Sequence, residues 1–105
     1  MTVSDSTRLL LELEKLRRDI NREVLNRAVP ELHIEDIHPI ESIAAESRSV
    51  YLQALFDIAR RAPELPSREE SDNLAWHRRC YEELRAAVDV LEEVIDRGYL
   101  DVAHD

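Results

Sequence analysis

Apolar residues recur at steps of three and four along most of this chain, and the clearest run lies between Ser67 and Gly98. Leu74, His77, Tyr81, Leu84, Val88, Leu91 and Ile95 form one line, and Trp76, Cys80, Ala87 and Val94 follow along its flank. At about 100° per residue these positions cover a face roughly 160° wide, more than the seam of a two-stranded coiled coil needs. The helix is therefore expected to pack against two neighbours. Both of its ends are written in the sequence. Ser67 followed three positions later by Glu70 makes a capping box, and Gly98 supplies a stop.

The same period places two further helices. The first is expected over about residues 5–29, starting from the competent caps Ser4, Asp5 or Ser6 and ending where Pro30 forces its predecessor out of the helical region. Its inner stripe is Leu9, Leu13, Leu16, Ile20 and Val24. Pro30 to His38 reads as a connector. The second helix is expected over about 39–62, with Pro39 in its first turn, Asp36 or His38 as cap, and Ile40, Ala44, Ser47, Tyr51, Ala54, Leu55 and Ile58 facing inward. Pro63-Glu64-Leu65-Pro66 is a short, stiff link to the third helix at about 68–97, after which Tyr99 and Leu100 fold back and Asp101 to Asp105 fray. One glycine in the whole chain and no alternating apolar run argue against a sheet. The predicted fold class is all-α, an antiparallel three-helix bundle forming a single domain over residues 1–105.

Some apolar residues fall outside this plan. Leu11, Leu25 and Val29 point away from the first helix's stripe, while Val50, Leu52 and Phe56 fall to the sides or back of the second. A helix that is apolar on more than one side is central in its bundle or covered by a partner. Leu11, Leu25, Val29, Leu52 and Phe56 are accordingly the expected interface residues, and the chain is expected to form a homodimer.

Composition narrows the classes. With 44% apolar and 35% charged residues the chain is neither a disordered acidic segment nor a membrane protein. No apolar run approaches the roughly 20 residues that span a bilayer, so no membrane partner is expected. The opening residues lack the basic start and apolar core of a signal peptide, and the single Cys80 cannot form an internal disulfide, so the expected location is the cytoplasm. A net charge of −9 repels phosphate backbones, and no nucleic acid is expected as partner. The basic residues interleave with acids at spacings that suit intrahelical pairs: Glu14 with Arg18, Glu23 with Arg27, Asp57 with Arg61, Glu93 with Arg97. One lysine among fourteen basic residues points to a GC-rich coding genome of a bacterial kind.

Candidate chemistry is sparse. His33, Glu35, Asp36, His38 and Glu41 gather in the connector, and Glu35-Asp36-Ile37-His38 has the Glu-x-x-His spacing with which helical bundles hold iron or manganese. Against this, His38 precedes Pro39 and is biased toward an extended conformation, and no second copy of the motif exists. His77 and Cys80 lie three apart, but on the apolar face, where such residues usually serve as core. Leu16-Arg17-Arg18-Asp19-Ile20-Asn21 resembles, over these six residues, the opening of the all-helical chorismate mutases. The resemblance implies an anion held by arginines within a helical dimer, with Arg17, Arg48 and Arg78 as the arginines available, while the sole Lys15 leaves no lysine for the rest of that family's site. No catalytic residue and no bound cofactor is assigned. The sequence leads to a small cytoplasmic protein-interaction or regulatory bundle. The alternative is a metal-binding or small-ligand-binding helical enzyme holding a divalent metal through His33, Glu35 and His38.

Overall fold

The structure, a computed structural model, describes residues 3–29 and 31–103. It is all-helical. Helix α1 spans Val3–Ala28, α2 Ile34–Ala59 and α3 Arg68–Asp96, of 26, 26 and 29 residues. Among the described residues there is no strand, only an isolated parallel bridge between Leu32 and Val102. Pro30, expected to stop the first helix, lies outside the described residues.

The ends of α3 follow from its sequence. The Ser67 backbone N–H donates to Glu70 Oε1 at 3.0 Å while the Glu70 N–H donates to Ser67 Oγ at 3.2 Å, so two otherwise orphaned donors are satisfied reciprocally. At the other end Gly98 adopts φ 71°, in the left-handed region. Gly98 N–H then reaches Ile95 O and Tyr99 N–H reaches Val94 O, each at 3.0 Å, which is the Schellman arrangement.

The start of α2 differs from expectation. The helix begins at Ile34, not at Pro39, and Pro39 lies inside it. Proline here removes only the hydrogen bond to the Glu35 carbonyl, one turn from the helix start, where Glu35 is exposed and its carbonyl can tilt to water. Glu35 and Asp36 in the first turn add favourable charge at the positive end of the helix dipole. The connector therefore shrinks to a few residues, and neither Asp36 nor His38 serves as cap. At its far end α2 gives way to tight turns, with Arg61 N–H on Ile58 O and Ala62 N–H on Ala59 O, both at 3.1 Å.

The residues group into two compact units, Glu35–Val90 and Met1–Ile34 with Leu91–Asp105. Within Glu35–Val90, α2 and α3 run antiparallel. Arg61 pairs with Glu70, the Tyr51 and Tyr81 rings sit 6.3 Å apart, and Ala44 shares a small cleft with Tyr81 and Arg85, so descending α2 means ascending α3. Ala44 and Val88 are buried at 7% and 4% exposure. Ile40, Ser47, Tyr51, Ala54 and Ile58 of α2 and Leu74, His77, Tyr81 and Leu84 of α3 are half-buried, as the inner faces require. Leu55 is the exception, at 47% exposed.

The other unit is organised by the segment after Gly98. Arg22 of α1 donates to the Gly98 carbonyl and to the Asp101 carboxylate. Asn26 uses both ends of its amide, donating to Tyr99 O at 3.5 Å and accepting from Asp101 N–H at 3.0 Å. Leu32 N–H donates to Asp101 O and Ala103 N–H donates to Leu32 O, both at 2.9 Å. Leu32 and Leu100 are buried beneath this lattice at 5% and 6%. The expectation of a frayed tail is corrected for Asp101 to Ala103, because side chains of α1 and the backbone of Leu32 occupy its polar groups; His104 and Asp105 lie outside the described residues.

Candidate functional site

The side of α1 that makes these contacts is not the one its periodicity suggests. Arg22, Leu25 and Asn26 are half-buried, and they lie across the helix from Leu9, Leu13, Leu16, Ile20 and Val24. Those five are 55%, 48%, 56%, 50% and 48% exposed. The expected roles of the two sides are thus reversed at Leu25, which lies on the anchored side, while the expected inner stripe is open. Leu11 and Val29, on the Leu25 side, remain exposed. The sequence signal for the anchored side was Asn26. An amide in the last turns of a helix is a poor helix former, and it persists where its side chain has backbone groups to satisfy.

The open stripe runs from Leu9 to Val24, a rise of about 22 Å at 1.5 Å per residue. Leu10, 66% exposed, widens it on one edge. Glu12, Asp19 and Glu23 line the other edge, all exposed, so the stripe has an acidic border along that side.

A second open surface lies on α2. Ala45, Arg48, Ser49, Leu52, Gln53, Phe56 and Arg60 line one shallow groove; all but Arg60 belong to α2, and Arg60 follows it directly, its N–H still on Phe56 O at 3.0 Å. Leu52 and Phe56, two of the expected interface residues, are 46% and 59% exposed there, and Val50 is 41% exposed off the groove. On α3 the Trp76 ring is open to solvent, with the Arg79 guanidinium 5.9 Å from its centroid. Cys80 beside it is a free thiol.

The connector residues do not converge. His33 Nε2 lies 3.8 Å from a Glu31 carboxylate oxygen, and His38 Nδ1 lies 3.4 Å from Ser42 Oγ. Because α2 starts at Ile34, Glu35 and His38 do share a helical turn, contrary to the extended conformation expected for His38. Even so, among the described residues no three His, Cys, Asp or Glu side chains form a group able to hold a metal ion.

Four arginines pair locally along the chain with carboxylates three or four residues away. Arg97 meets Glu93 at 3.1 Å, as its spacing predicts, while Arg85 meets Asp89 at 2.9 Å and Arg78 approaches Glu82 at 3.9 Å. The Glu93 carboxylate, with Tyr99 beside it, holds the Arg97 guanidinium above its ordinary pKa. Asp57 pairs with Arg60 at 2.8 Å, not with Arg61, which turns to Glu70 instead. Arg17 and Arg18 border a polar cleft with Glu14, Asp96, Arg97 and Tyr99, which sets three guanidiniums beside two carboxylates. No described helix is long and apolar enough to cross a membrane. No family model matches the chain, and no curated protein or solved structure matches it.

Proposed function

We propose that this chain is a small protein-interaction domain of the cytoplasm that acts by binding another protein along the open stripe of α1. The observation that carries the reading is the exposure of Leu9, Leu13, Leu16, Ile20 and Val24, about half of each side chain, on a helix whose regular period is that of a covered face. Contiguous apolar surface of this kind is a liability in water unless something covers it. The shape suits an amphipathic helix laid along the stripe, reading it through side chains at steps of three and four. The border of Glu12, Asp19 and Glu23 favours a partner helix with lysine or arginine on the facing edge.

The test uses Leu13→Glu with Ile20→Glu. Both positions are half-exposed, so circular dichroism is expected to show unchanged helicity. Untagged parent and variant are then purified from the native host, and the proteins that accompany each are identified and titrated back. The reading requires a stoichiometric companion with the parent that the helical variant loses. The same companions with both proteins, or none with either, would overturn it.

A further inference from the structure

The groove on α2 has the residue pattern of a helix pair, which goes beyond partner binding by α1. Ala45, Ser49, Leu52, Phe56 and Ala59 follow one another by four, three, four and three residues, the spacing of a two-stranded seam, and all five are exposed. Glu46 and Gln53, with Arg60 just past the helix end and still bonded to Phe56 O, repeat every seven residues along one edge of that seam, and Arg48 and Leu55 lie along the other. We infer that this face of α2 binds α2 of a second copy of the chain, antiparallel, about a two-fold axis beside Gln53.

The charges choose the orientation. In an antiparallel pair, edge residues meet their own kind across the axis, so Glu46 lies against the partner's Arg60 and Arg60 against the partner's Glu46, with the two Gln53 amides facing each other. Leu55, otherwise an anomaly at 47% exposure on the inner face, meets the partner's Leu55 on the opposite edge. Leu52 packs on the partner's Phe56 twice, at the centre. Ser49 meets the partner's Ala59 toward each end, and such small residues let the helices approach closely. In a parallel pair the edges are offset by five residues. That places Glu41 against the partner's Glu46, two like charges, and leaves Arg60 beside the partner's Leu55. Arg60 is already steadied by Asp57 at 2.8 Å, so its guanidinium is positioned to take a second carboxylate.

An interface of three to four helical turns is at the small end of the range, so the test is run at roughly 100 µM. The parent is expected to scatter light as a dimer. Glu46→Arg alone and Arg60→Glu alone each set like charges against each other twice per dimer, and each is expected to weaken association about tenfold or more, with helicity unchanged. Combined in one chain, the two changes restore the opposite-sign pairs and are expected to restore the dimer. Mixed as separate chains, the two single variants are expected to form a one-to-one heterodimer. A monomeric parent, single variants that associate as tightly as the parent, or a mixture with no heterodimer would overturn the assignment. These outcomes are independent of the α1 experiment, since Leu13 and Ile20 lie on neither edge nor seam of α2.

Discussion

Along α3, Leu74, His77, Tyr81, Leu84, Val88, Leu91 and Ile95 are all buried or half-buried, whereas along α1 the equally regular Leu9, Leu13, Leu16, Ile20 and Val24 are about half exposed. The two helices are of similar length and similar amphipathicity. They differ in how they are held. The α3 stripe is held by apolar and ring contacts along its own face, while α1 is held from its opposite side by Arg22 and Asn26, through hydrogen bonds to the segment after Gly98. A hydrophobic period thus reports which face dislikes water, and polar anchors decide which face the chain covers for itself.

The largest test of this contrast is Leu100→Ala. Leu100 is 6% exposed beneath the anchored segment, and the cavity is expected to cost about 2–5 kcal/mol by urea melting. A cost near zero would mean that hydrogen bonds alone organise that unit. Leu84→Ala, on the covered α3 face, is expected to lower stability by about 2 kcal/mol, because the site is half-buried. Gly98→Ala meets no neighbouring atom but forces a side chain into the left-handed region, an expected loss of about 1–2 kcal/mol at the end of α3. Ser67→Ala at its start removes the acceptor for Glu70 N–H, for about 1 kcal/mol, and Ser67→Asp is expected to recover most of it. Smallest is Leu13→Ala, expected within about 0.5 kcal/mol for a residue 48% exposed. If Leu13→Ala and Leu84→Ala shifted the melt equally, the contrast between the two stripes would collapse.

These residues also mark how far sequence carries. The three helices, the Ser67–Glu70 box and the Gly98 stop were legible because each depends on neighbours a few positions away. The start of α2 was misplaced because Pro39 is discouraged inside helices on average, yet one turn from a helix end it sacrifices a single exposed carbonyl. The clasp of Arg22 and Asn26 on Gly98, Tyr99 and Asp101 was not legible beyond the hint of an amide at Asn26, since it joins residues 73 to 79 positions apart and nothing local names the distant partners. The candidate surfaces were half legible. Leu52 and Phe56 stood out as surplus, whereas the α1 stripe was read as core because exposure depends on tertiary anchoring that periodicity does not encode.

That clasp also implies an order of events. Contacts between α2 and α3 span a short hairpin and are expected to close early, while the bridge of Leu32 to Val102 joins two distant stretches of chain and is expected to close later. The amides of Leu32 and Ala103 then serve as a built-in clock. In native-state hydrogen exchange they report the opening of the late-formed region, and the interior amides of α3 around Val88 report the early one. Faster exchange at Leu32 and Ala103 than around Val88 would show the molecule loosening first where it closed last.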